Sequence, residues 1–176
     1  MPMRLIKGFV LAIAGLFIMI TLLSLLIPSK VMVARGVVVN TNAKKVLAEL
    51  TNLRNWQHWQ PVFKNDSLKL GFSTDSKSVN SFCEWESSGK KNKFTITAIK
   101  EFEITAALSR EGENDVTNTI SILPLADSNS VQVEWRALTK LKWYPWEKFY
   151  GIFIEKITGQ GYEDALNSLK AYIESH

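Results

Sequence analysis

Between Lys7 and Lys30 the chain carries no charged residue, and from Gly8 to Ile27 almost every side chain is apolar. A helix rises about 1.5 Å per residue, so such a run covers a hydrocarbon core roughly 30 Å thick. A cleaved signal peptide has an apolar core of only about 7–15 residues ending in a small-x-small site, and Ile27-Pro28-Ser29-Lys30 offers none. A helix buried in a soluble core would show a polar stripe, and this run has none. Thr21 and Ser24 are tolerable in lipid because a helical hydroxyl bonds back to the backbone. The expectation is therefore an uncleaved anchor through residues 8–27 in contact with the bilayer, with residues 1–29 as tail and anchor and residues 30–176 as one domain. Arg4 and Lys7 before the run nearly balance Lys30 and Arg35 after it, so the positive-inside comparison decides little. We expect a single-pass membrane protein with a short cytoplasmic tail and an extracytoplasmic domain. Gly8 and Ala12 form one small-xxx-small pair, a weak helix-pairing feature.

Composition narrows the chemistry of the remainder. The chain has 176 residues with a net charge of +4, and the charges interleave after Lys30, with no motif for nucleic acid. The part beyond the anchor is long enough for one hydrophobic core. Cys83 is the single cysteine and His58 and His176 are the histidines. That excludes an intrachain disulfide and argues against a Cys- or His-based metal cluster. There is no Gly-rich phosphate loop, nucleophile elbow or dinucleotide fingerprint, so no cofactor is implied. Lys90-Lys91-Asn92-Lys93, after Gly89, falls where a hairpin turn is expected and reads as a solvated turn.

Patterning predicts the elements. Val31–Val39 is β-branched and reads as a first strand. Asn40-Thr41-Asn42 offers caps for a helix over Ala43–Leu50, and a second helical piece, Leu53–Trp59, is stopped by Pro61. From Leu68 to Leu141 the period is two. Val79, Ser81, Cys83 and Trp85 alternate with Asn80, Phe82, Glu84 and Glu86; Phe94, Ile96 and Ala98 alternate with Thr95 and Thr97. Ile104–Arg110 and Val116–Leu123 follow, separated by the polar turn Glu111–Asp115, and Asp127-Ser128-Asn129 marks another turn. In Val131–Leu141, Val131, Val133, Trp135, Ala137, Thr139 and Leu141 point one way and Gln132, Glu134, Arg136 and Lys140 the other, as in an antiparallel sheet with one wet face. Pro145 then opens a long helix with the apolar series Trp146, Phe149, Phe153, Ile157, Ala165, Leu169 and Ile173. Gly159 and Gly161 interrupt it, where a bend or a close approach is expected.

This order, a strand, two short helices, about six more strands and a long helix, predicts an α+β fold. A meander of that size twists and curls, and one helix across its concave face leaves a cavity in which a ligand would lie.

Two local sequences resemble the START-like superfamily (helix-grip fold; also the Bet v 1-like or SRPBCC group), in its polyketide cyclase/dehydrase-like branch. The first is Val37–Pro61, a strand, a turn, a helix with a lysine-valine pair and a Trp-x-x-Trp-x-Pro ending at Trp56, Trp59 and Pro61. The second is Trp143–Leu169, an aromatic, proline-containing helix start leading to Gly159, Gly161, Tyr162 and Glu163, then Leu166 and Leu169. The resemblance covers the whole part beyond the anchor. It implies a curved antiparallel sheet of about seven strands wrapped on the C-terminal helix. Lipid carriers, quinone binders and cyclases share this fold, so it implies no single substrate. Asn52, Asn55, Gln57 and Gln60 depart from the usual pattern around the first tryptophan.

The expected ligand-binding residues are Trp56, Trp59, Phe63, Trp85, Trp135, Phe149, Phe153 and Ile157. Each has a plainer reading as core packing. Trp56 and Trp59, three apart, share one helical face and suit a lid over an apolar guest. Trp143 and Trp146, at the start of the long helix, read first as packing and second as residues near the membrane interface. His58 lacks a carboxylate in its own segment and reads as solvent-facing. The combination favours a module that binds a hydrophobic small molecule, lipid or isoprenoid-like. An enzyme resembling cyclases or dehydratases would need a buried ionisable group with a shifted pKa in the cavity. A membrane-tethered protein-interaction domain would instead have a collapsed interior.

Overall fold

A computed structural model describes residues 2–64, 68–126 and 129–176. Helix α1 (Pro2–Ser24) leads to strand β1 (Lys30–Val39), helix α2 (Ala43–Thr51) and the single-turn helix α3 (Trp56–Trp59). Strands β2 (Gly71–Phe72), β3 (Phe82–Ser87), β4 (Lys90–Lys100), β5 (Glu103–Arg110), β6 (Val116–Pro124) and β7 (Val131–Lys140) follow, and helix α4 (Pro145–Ser175) closes the chain. The seven strands form one antiparallel sheet in the order β1-β7-β6-β5-β4-β3-β2. Each sequential pair from β2 to β7 is a hairpin. β1 then pairs with β7, from Lys30 opposite Lys140 to Val39 opposite Val131, and brings the start of the domain beside its end.

Within α1, Ile6–Ser24 is long and apolar enough to cross a membrane, and up to Met19 its side chains are exposed, while Ser24 at its end is buried. The Thr21 hydroxyl donates to the Phe17 carbonyl and the Ser24 hydroxyl to that of Thr21, which satisfies both polar groups inside the helix. The helix ends at Ser24, short of Ile27. Leu26 and Ile27 bond back to the Leu23 and Ser24 carbonyls in tight turns.

Local chemistry sets the other boundaries. Asn42 caps α2 by accepting from the Lys45 amide at 2.9 Å. Asn52 and Asn55 serve local structure: Asn52 accepts from the Ser76 hydroxyl and donates to Asn55, which donates to Glu49. β3 starts at Phe82, later than the alternation from Val79 implies. Asn80 takes a left-handed φ of 72°, a conformation asparagine tolerates, and that turn separates exposed Val79 from the strand. The β3–β4 hairpin turns at Ser88 and Gly89, both at positive φ, as the twist of a two-residue hairpin demands. Lys90–Lys93 therefore belong to β4 rather than to the turn. Along β4 the register shifts between Ile96 and Ala98. This bulge sets Ile99, rather than Ala98, against the core, because one extra residue inverts the alternation. Asp127 and Ser128 of the expected turn lie outside the described residues.

α4 continues unbroken through Gly159 and Gly161, so neither marks a bend. A side chain at Gly151 would overlap Leu141, and one at Gly159 would overlap the Arg35 guanidinium. These glycines identify the face of α4 that approaches the sheet. The buried residues of its first half are Pro145, Lys148, Gly151, Ile154 and Gly159, not the Trp146–Phe149–Phe153–Ile157 series expected to face inwards. The inward row is the less apolar of the two, and its small Gly151 and Gly159 let the helix come closest to the sheet.

Candidate functional site

The core is divided. A main cluster is built on Trp56, Trp59, Trp135, Phe94 and the β5–β6 interior. A smaller one joins Val33, Ala137, Leu141 and Ile154 beneath the first half of α4. Where they meet, a cavity of about 320 Å³ remains between sheet and helix. Its walls are mainly apolar and include Val33, Trp56, Phe94, Leu108, Trp135 and Ala137. Exposed Val62 and Ile157 also line it, so its mouth lies between the Pro61–Lys64 turn and α4.

The aromatic wall is built in steps. Asn52 caps the turn Leu53–Asn55 that leads into α3, and there Trp56 donates its indole N–H to the Leu50 carbonyl at 3.0 Å. That anchored ring lies 4.8 Å from Phe94 and 5.6 Å from Trp135, centroid to centroid. Trp135 is in turn 5.4 Å from Tyr162 in an edge-on contact. Phe63 meets Trp85 edge-on at 5.1 Å. Such tilted and edge-on pairs are favourable for the ring quadrupoles and hold the wall in a defined shape without filling the space.

Five expected residues line the cavity: Trp56, Phe63, Trp85, Trp135 and Ile157. Trp59 does not. It is fully buried, 4.9 Å from Trp56, with no acceptor for its indole N–H among the described residues. The two tryptophans thus divide into one wall residue and one core residue rather than a lid. Phe149 and Phe153 are also absent from the cavity, being 41% and 55% exposed on the outward face of α4. His58 is exposed and stacks on Tyr172, away from the cavity.

The polar lining was missed at the sequence level. Asn118, almost fully buried, accepts the Trp135 indole N–H at 2.9 Å and donates to the Val116 carbonyl. Arg110 and Tyr162 are the ionisable side chains of the lining, with Gln60, Thr139 and Thr158 as further polar groups. Burial raises the Tyr162 phenol above its ordinary pKa, and the charge of Arg110 opposes that rise in part. The register held a signal for two of these. Asn118 and Arg110 occupy inward positions in series that are otherwise apolar, Val116-Asn118-Ile120-Ile122 and Ile104-Ala106-Leu108-Arg110. Gly161, which a side chain would not crowd, lies at the rim beside Tyr162.

A larger hollow of about 770 Å³ lies over the strand ends near Lys69, Glu84, Glu86, Lys91 and Glu111. Its charged rim and breadth make it a solvent trough. Among the described residues, no group of three or more His, Cys, Asp or Glu side chains comes together to hold a metal ion.

No protein-family model matches the chain, and no curated protein matches it in sequence. Its fold does match solved structures. A START superfamily protein from Mycobacterium smegmatis aligns with a TM-score of 0.62 at 18% identity, over 82% of this chain and 98% of its own. Norcoclaurine synthase from Thalictrum flavum, in complex with dopamine and hydroxybenzaldehyde, aligns at 0.64 with 10% identity, over 84% of this chain and 88% of the enzyme. A protein of the dynemicin biosynthetic locus aligns at 0.57 with 12% identity, over 82% of this chain and 47% of its own. At these identities the likeness is one of architecture. The chain has the START-like, helix-grip fold.

Proposed function

We propose that this protein is a membrane-tethered binding module that holds one hydrophobic small molecule between its sheet and α4. In this reading residues 1–29 are tail and anchor, residues 8–27 lie in the bilayer, and residues 30–176 form the binding domain on the extracytoplasmic side. The observation that carries it is the cavity of about 320 Å³ walled by Trp56, Trp85 and Trp135. Ligand pockets run from roughly 300 to 1,000 Å³, so this one suits a single-chain or ring-sized guest rather than a two-chain lipid. Apolar burial supplies about 25 cal/mol per Å² before the losses on association. Asn118 and Tyr162 would orient a guest that carries one polar group. The test is native mass spectrometry of the full-length protein in detergent after exposure to a membrane lipid extract. One adduct of single-chain size per protein is expected, and a spectrum without an adduct refutes the assignment.

A second reading rests on Tyr162. A buried phenol in the cavity wall, beside a cationic Arg110, can donate a hydrogen bond to a carbonyl oxygen, as a cyclase or dehydratase requires. If the protein is such an enzyme, Tyr162→Phe abolishes turnover and leaves uptake of the adduct intact; if it is only a binder, the variant alters affinity alone.

A further inference from the structure

The outward face of α4 changes character halfway along. Trp146, Phe149, Tyr150, Phe153 and Ile157 recur at three- and four-residue spacings, so they form one stripe about 16 Å long at 1.5 Å per residue. All five are exposed. Past Ile157 the same face carries Gln160, Asp164 and Asn167. A helix that covers a sheet needs one apolar face, and one that is apolar all round is normally buried or in lipid. The first half of α4 turns Lys148, Gly151 and Ile154 towards the sheet, and its aromatic stripe stays exposed on the other side, apart from the stacking of Trp146 on Tyr144.

Position says what covers it. Lys148, only 2% exposed, donates from its ammonium to the Ile27 carbonyl at 2.9 Å and to the Ser29 hydroxyl at 2.5 Å. The Leu141 amide donates to the Ser29 carbonyl. The start of α4 is therefore pinned to the segment that follows α1 directly, at the level where a spanning helix leaves the bilayer. Around the stripe stand Lys30, Lys140, Lys142 and Lys156, all exposed and none in an ion pair with a described residue. Trp143 and Tyr144 extend the aromatic set at its beginning. Tryptophan and tyrosine prefer the membrane–water interface, and lysines beside an apolar stripe suit anionic headgroups.

We propose that this stripe lies in the headgroup layer of the bilayer that α1 enters, so that the first half of α4 is an interfacial helix. Ile157 belongs both to the stripe and to the cavity wall, so the mouth opens onto lipid and a guest passes between bilayer and cavity without crossing water. The inference rests on the reading of α1 as a membrane anchor.

Its test uses the full-length chain in vesicles of phosphatidylcholine with phosphatidylglycerol, carrying one nitroxide label at a time. The native Cys83 is buried and leaves labelling to the introduced thiols Leu16→Cys, Phe153→Cys and Ala171→Cys. Labels at Leu16 and Phe153 should be relaxed by oxygen and shielded from a water-soluble nickel complex, with nickel accessibility at Phe153 several-fold below that at Ala171, an exposed position farther along the same face. A Leu16 label in lipid with a Phe153 label open to nickel overturns the proposal and leaves the anchor intact. Shielding at Phe153 from both reagents, with spin–spin broadening between chains, assigns the stripe to a second copy and also overturns it. A Leu16 label in water removes the anchor reading, and the inference with it.

Discussion

A phenyl group placed inside the cavity provides a quantitative test of whether the interior is hollow. Ala137, opposite Val33 on one side and Asn118 on the other, lines it and is buried. Burying a phenylalanine side chain is worth about 1.5–3 kcal/mol, and forcing extra atoms into a packed core costs about 1–3 kcal/mol. With roughly 320 Å³ of space available, most of that strain is avoided. Ala137→Phe should therefore leave stability within about 1.5 kcal/mol of the parent, a shift of some 3–6 °C at most for a chain of this size. It should also remove the lipid adduct from the native mass spectrum, because the ring occupies the guest's place. Thermal unfolding and the adduct assay are read on the same preparations. A loss beyond about 3 kcal/mol would mean that side chains already fill the interior. Unchanged stability with an unchanged adduct would place the guest elsewhere on the protein.

Three further outcomes follow from particular contacts. Lys148→Met removes two hydrogen bonds from a charged donor, each worth about 1.5–3 kcal/mol before the ammonium's own desolvation is offset, so a net loss of about 1–3 kcal/mol and faster amide exchange in the first turns of α4 are expected. Gly161→Ala meets open space and should gain up to about 1 kcal/mol of helix stability, whereas Gly159→Ala displaces Arg35 from Glu155 and Glu163 and should gain measurably less in urea unfolding. Burial pushes the Cys83 thiol up from 9.0 to about 12. A raised folded pKa favours the native state fully below pH 9 and loses that contribution as the pH rises towards 12, so the urea midpoint should fall over that range, less steeply in Cys83→Ala. Native Cys83 should also resist alkylation at pH 8 until the protein unfolds.

Strand alternation reveals which face of β7 or β5 is dry because its period of two does not depend on distant partners. The N-terminal apolar run is equally local, since a long uncharged stretch needs no tertiary contact to define it. The Trp-x-x-Trp-x-Pro segment was legible as a landmark of the fold, yet its spacing could not say that Trp56 would face a void while Trp59 went to solid core. That division depends on the Leu50 carbonyl, which holds one indole, and on Phe94 and Trp135, which come from distant strands.

What the residues determined unaided was periodicity: an apolar span, a first strand with about six more, one wet face along Val131–Leu141, and a terminal helix of sufficient length to cross them. What the tertiary structure alone decided was which row of α4 turned inwards, the aromatic one or the one holding Lys148, Gly151 and Ile154. Both rows satisfy a helical period, and hydrophobicity alone favours the aromatic one, which the structure leaves exposed. Shape chose: Gly151 and Gly159 allow Leu141 and Arg35 to come close, and the larger aromatic row was left outside. The same choice left the cavity, because a sheet curved around a backbone-close helix cannot also close the space beside Ile154 and Tyr162.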